Sequence, residues 1–169
     1  MKRIGVLLAA GRSERMGRPK QLLPWPPPGS VSISGSEEMG TDPLAATAKP
    51  LVAAAFDAIA PVCDAMVVVV GHEAEAVTAA LGEREFGAVA VDPQAEMLTS
   101  VQAGLAIARG LDPSADVLLH PADHPIVRRE TLDRLIAAAS EHAGQAVMPT
   151  FVDVGGHPVQ IPAELVVPI

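Results

Sequence analysis

The chain opens MKRIGVLLAAGRSERMGRPKQLLPW (residues 1–25), in which an apolar run from Ile4 to Ala10 leads directly into a loop of glycine and positive charge. The run lacks the alternation of a half-exposed strand. It reads as a β-strand covered on both faces, as in the parallel sheet of an α/β protein. Loop 11–20 carries Arg12, Arg15, Arg18 and Lys20, four of the twelve lysines and arginines in a chain of net charge −8. Charge so concentrated after a buried strand points to a bound anion. Gly11 and Gly17 permit tight turns whose N–H groups can face phosphate oxygens, and a lysine at the loop's end can reach a bridging or transferred phosphate. A merely solvated basic loop is the usual fate of such a run, but its place after the first strand disfavours that reading. Five residues separate Gly11 from Gly17 and neither Lys-Ser nor Lys-Thr follows, so the loop is neither a Walker A nor a G-x-G-x-x-G turn.

Outward from this loop, helix and strand patterns alternate. LVAAAFDAIAP (51–61) predicts a helix, DAMVVVVG (64–71) a buried strand, HEAEAVTAALGER (72–84) an amphipathic helix and GAVAVD (87–92) a short strand. LTSVQAGLAIARG (98–110) predicts a helix, ADVLLH (115–120) a strand, RRETLDRLIAAASEHAG (128–144) a helix and QAVMPT (145–150) a final strand. The expectation is an α/β fold: a single three-layer, Rossmann-like domain over residues 1–169 with a mainly parallel sheet. Residues 24–50 are rich in proline, glycine and serine without apolar periodicity, and read as an insertion into that domain. Ligands of such sheets gather beyond the carboxyl ends of the strands, which directs attention to the segments after Ala10, Val70, Val91, His120 and Thr150.

Composition narrows the function classes. A net charge of −8, aromatics at 2% and no tyrosine disfavour nucleic acid as a partner. Apolar runs such as AMVVVV fall far short of the roughly 20 residues that span a bilayer. The N-terminal run enters a charged loop without a cleavage region, so a cytoplasmic protein with no membrane association is expected. Cys63 is the one cysteine and reads as a buried bystander thiol.

The stretch LAAGRSERMGRPKQL (8–22) resembles the hallmark LAAG-x-S-x-R-M-G-x-P-K-x-L of the MobA-like nucleotidyltransferases, and within them the molybdenum cofactor cytidylyltransferases. The resemblance implies triphosphate contacts from Gly11, Arg15 and Lys20, with Arg12 in the same loop and Leu8, Ala9 and Ala10 beside the base. The LAAG form implies CTP. HPADHPIV (120–127) resembles the family's aspartate motif and implies that Asp123 holds Mg²⁺, which would bridge phosphate oxygens. An N-cap for the following helix is the alternative for Asp123, and His120 with His124 is a weaker alternative metal pair. VDPQAEMLTSVQAGL (91–105) resembles a segment bordering the nucleotide and acceptor pockets; its Thr99 and Ser100 are left open between helix capping and ligand contact. GGHPVQIP (155–162) resembles the GHPV segment beside the acceptor and implies that His157 orients the acceptor.

Together these readings imply a Mg²⁺-dependent transfer of CMP from CTP to the phosphate of molybdopterin cofactor, with release of pyrophosphate. Members of the family continue past GHPV into an acidic segment that supplies a second metal ligand; that segment is not in this sequence, which ends at Ile169. Apolar surface uncovered there would favour self-association or a molybdoenzyme partner. The rival readings are a sugar-phosphate acceptor, GTP in place of CTP, or a non-catalytic nucleotide or cofactor binder.

Overall fold

The computed structural model describes residues 1–13, 17–26 and 48–166. Arg15 and most of the 24–50 segment lie outside the described residues. Strand β1 (Arg3–Leu8) is buried along almost its whole length, as its unbroken apolar run requires. It pairs in parallel with β4 (Ala65–Val70) on one side and β6 (Asp116–Pro121) on the other. Strand β5 (Gly87–Ala90) adds in parallel to β4. Beyond β6 the sheet ends in a strand that the sequence did not predict, β9 (Val159–Ile161), which runs antiparallel. The order is β5-β4-β1-β6-β9.

Helices pack on both faces. Val68 and Val70 point into one apolar cluster with Leu7, Leu118 and the helices α1 (Leu51–Ile59), α2 (Ala74–Leu81) and α4 (Arg129–Glu141). Val67 and Val69 point into the other, with Val6, Val117 and helix α3 (Met97–Leu111). Full burial of each such valine contributes about 1.5–3 kcal/mol, so the runs are uniformly apolar because each successive residue faces a different covered side. Helix α3 approaches closely through its small-residue stripe: a Cβ on Gly104 would lie 2.5 Å from Val6 Cγ1 and 2.9 Å from Val69 Cγ2.

The edge strand β9 is held by a buried polar chain. Arg3 Nε donates to Gln160 Oε1 at 2.8 Å, Gln160 Nε2 donates to Asp116 Oδ2 at 2.9 Å, and Asp116 Oδ1 accepts from the Ala163 N–H at 3.1 Å. The expected strand over 145–150 is not formed. Val147 makes one isolated bridge to Gln160, and Thr150–Phe151 (β7) instead begins a hairpin with Val154–Gly155 (β8). Val152 and Asp153 have φ of 48° and 63° at its tip. The fifth place in the sheet goes to β9 because its alternating VQI puts a glutamine where Arg3 and Asp116 need a partner. Helix α2 stops earlier than its pattern predicts, at Gly82 with φ 61°. Two-residue strands β2 (Pro24–Trp25) and β3 (Lys49–Pro50) pair antiparallel at the base of the 24–50 segment.

Candidate active site

After β1 and β4 the chain builds outward on one side as far as β5, then returns to place β6 on the other side of β1. The carboxyl ends of β1 and β6 therefore flank a topological switch point, where open α/β sheets bind ligands. The two expected motifs emerge there. Leu8 ends β1 opposite Pro121, and Leu8 O accepts from the Ala122 N–H at 2.9 Å, one residue before Asp123. Ala9 N donates to Val69 O at 2.8 Å, tying the start of the loop to β4 as well.

The loop is shaped by two residues that the sequence reading did not single out. Gln21 is buried and its amide donates to the carbonyls of both Ala9 (3.1 Å) and Gly11 (2.7 Å), so these oxygens are turned inward. Ser13, at φ 53°, accepts from the Lys20 N–H at 3.0 Å and closes the far end of the loop on its beginning. The sign of Gln21 in the sequence is an amide set between Lys20 and the apolar LLPW (22–25). Gly71 presses from behind, where a Cβ would meet Ala10 O at 2.9 Å. Gly11 and Arg12 are exposed at the loop, and the Lys20 ammonium has neither hydrogen-bond nor ion-pair partner among the described residues.

Asp123 lies exposed in a turn closed by His124 N–H to Pro121 O at 3.3 Å, with His124 Nε2 3.9 Å from its carboxylate. It does not cap a helix: α4 begins at Arg129, with Arg128 in the cap position. His120 and His124 do not form a metal pair either. His120 is wholly buried, its Nε2 lies 2.8 Å from the His124 carbonyl, and its Nδ1 has no partner. Burial pushes the His120 imidazole down to about 4, so it is neutral and Nε2–H is the donor to that carbonyl. His157 approaches from the segment before β9, its ring 5.3 Å from that of His124, and is lowered by burial and then by His124. Among the described residues no three His, Cys, Asp or Glu side chains cluster as a metal cage. A lone exposed carboxylate fits instead a hard cation that arrives with phosphate oxygens already bound.

Ser100 is not a helix cap. The cap position of α3 is Glu96, without a side-chain bond, and Ser100 lies buried with Gly104 and Ala108 on the stripe facing the sheet. Loop 9–13, Lys20, Asp123, His157 and the start of α3 thus belong to the carboxyl side of one sheet.

The profile of the MobA-like NTP transferase domain matches residues 5–169. The chain belongs to this family. It is thereby a member of the nucleotidyltransferases, proteins that bind a nucleoside triphosphate and a phosphorylated acceptor. Among solved structures, Rv0371c from Mycobacterium tuberculosis is similar at 27% identity and TM-score 0.71, over 98% of this chain and 74% of that one. A structure of Rv0371c has also been determined as a complex with manganese. Molybdopterin-guanine dinucleotide biosynthesis protein A from Archaeoglobus fulgidus shares the fold at 16% identity and TM-score 0.59, over 96% of this chain and 69% of its own. A 4-diphosphocytidyl-2C-methyl-D-erythritol synthase shares it at 19% identity and TM-score 0.60, over 97% and 75%. No curated protein matches the chain by sequence at a significant level. No helix among the described residues is long and apolar enough to cross a membrane.

Proposed function

We propose that this MobA-like transferase moves CMP from CTP onto the phosphate of molybdopterin cofactor with Mg²⁺, releasing pyrophosphate, in the cytoplasm. The observation that carries the reading is the emergence of the LAAG loop and the Asp123 turn from adjacent strands at the switch point. The same reading treats residues 1–169 as one nucleotidyltransferase domain with an insertion at about 24–50. A cation held by Asp123 would neutralise phosphate charge. Leu8, Ala9 and Ala10 would lie along the base, while Gly11, Arg12, Arg15 and Lys20 hold the triphosphate. Ser100 would border the nucleotide from α3, and His157 would orient the acceptor. An acceptor phosphate oxygen attacks the α-phosphorus in line, the new P–O bond forms as the bond to pyrophosphate breaks, and no covalent protein intermediate is needed. Positioning and charge neutralisation are then the whole of the protein's task.

The test is pyrophosphate release from CTP and from GTP, with Mg²⁺ and molybdopterin cofactor, for the intact chain and for Asp123→Ala. CTP-dependent release that falls by about a hundredfold or more in the variant is expected, the scale of losing a main electrostatic contact. Release from GTP alone would replace the nucleotide assignment. CTP binding without release would leave a binding protein rather than an enzyme.

A further inference from the structure

The loop that leaves β1 is gripped from two sides, and one grip is a single side chain. On the sheet side the Ala9 N–H donates to Val69 O at 2.8 Å and Gly71 lies against Ala10. On the other side stands Gln21, 5% exposed, in a short 3-10 helix (Lys20–Leu22) that packs against α1 and α2. The Leu51 N–H, at the start of α1, donates to Leu23 O at 2.8 Å and fixes this segment in place. Both hydrogens of the Gln21 amide go to the loop, at 3.1 Å to Ala9 O and 2.7 Å to Gly11 O, while its Oε1 is buried without a partner among the described residues. A buried acceptor left unmatched opposes folding, and such exceptions gather where function constrains the structure. A trans peptide points its C=O and the following N–H in opposite directions. The peptides after Ala9 and Gly11 are trans, so the Ala10 and Arg12 N–H groups point away from Gln21. The Ala10 N–H has no partner among the described residues.

We propose that Gln21 is a positioning residue for the nucleotide's triphosphate: by holding the carbonyls of Ala9 and Gly11 inward, it turns the N–H groups of Ala10 and Arg12 toward the phosphates. The inference rests on the transferase reading above and adds to it a residue that touches no substrate. Backbone N–H groups set in a concave turn attract anions, whereas a carbonyl oxygen in the same place repels them. A flip of either peptide plane would exchange the two, most easily at Gly11, where no Cβ resists it. The Gln21 amide opposes that flip at both planes. It also ties the loop to the Lys20 segment, since Lys20 precedes it in the same short helix and the Lys20 N–H donates to Ser13 Oγ at 3.0 Å. Loop N–H groups and the Lys20 ammonium are thereby held in one register, as preorganised binding of a charged group requires.

The test is calorimetric binding of CTP, CMP and inorganic tripolyphosphate, with Mg²⁺ and without acceptor, to the intact full chain, Gln21→Met and Gln21→Glu. Gln21→Met fills the same space but donates nothing. It is expected to bind CTP and tripolyphosphate about tenfold more weakly, the scale of one lost hydrogen bond to a charged group, and CMP within about threefold of the intact chain. Retained CMP binding also shows that the variant is folded. Gln21→Glu, whose ionised carboxylate can only accept, should lose at least as much at pH 8. Relative to the intact chain at the same pH it should recover part of the loss at pH 5.5, where a carboxyl set against two carbonyls takes up a proton and donates to one of them. Unchanged tripolyphosphate affinity in Gln21→Met would overturn the proposal. So would an equal fall in CTP and CMP affinity, the mark of a side chain that only supports the fold. Because binding is read without turnover, a Gln21-dependent tripolyphosphate affinity in a chain that releases no pyrophosphate would end the transferase reading and keep the role of Gln21.

Discussion

His120 shows how much one side chain can be asked to do. It sits in β6 among residues whose neighbours are apolar, yet its ring donates to the carbonyl of the turn that carries Asp123. Burial holds its folded pKa at about 4, against an ordinary value of 6.5. Below pH 6.5 the unfolded chain therefore binds a proton that the folded chain refuses, and stability is lost as pH falls towards 4, where both states are protonated. The loss from this group amounts to about 3 kcal/mol across that window. Urea denaturation from pH 7 to 4 should show the slope in the native chain and a flatter one in His120→Gln; equal slopes would rule out His120 as the source. From the sequence His120 was readable only as a histidine near a candidate metal site. Its burial follows from pairing with Leu7 of β1, a contact across more than a hundred residues.

At the scale of elements, β1, β4 and β6 were legible because a strand covered on both faces needs no alternation and leaves an uninterrupted apolar run. The helices were legible from their period, with ends shifted by a few residues where Gly82 or the Arg128 cap position intervenes. The last strand was misplaced. QAVMPT has the apolar content of a strand, but VQI supplies Gln160, and among the described residues only Gln160 links Arg3 to Asp116. Gln160→Leu keeps the apolar bulk while leaving a buried guanidinium and carboxylate each short of a partner. It should cost about 3 kcal/mol, read as a lower urea midpoint at unchanged slope. A loss under about half a kcal/mol, the level of an ordinary surface change, would show that β9 is held by its backbone bonds alone.

Over the whole molecule, protection should follow coverage. The β1, β4 and β6 strands lie between helices on both faces, so hydrogen exchange should be slowest at Val6–Leu8, Val67–Val70 and Val117–Leu119. Exchange should be fastest among described segments in the 150–155 hairpin, which has exposed side chains and one pair of short strands. Rapid exchange in β6 would mean that the sheet opens from its β9 edge, and would undercut the placement of Asp123 on a rigid strand end.

The sequence by itself determined the family, the α/β alternation and the place of the glycine-rich basic loop at the end of the first strand, because these depend on contiguous residues: an apolar run, a glycine spacing and a cluster of charge. Tertiary structure alone decided which strands are neighbours, and hence that the Ala9–Gly11 loop and Asp123 leave the sheet side by side. It also decided that Gln21 turns the loop's carbonyls inward, that Ser100 packs against the sheet, and that the ring of His157 stands against that of His124. Each of these rests on contacts between distant residues, and no local pattern of residue types encodes the partner that a side chain meets across the fold.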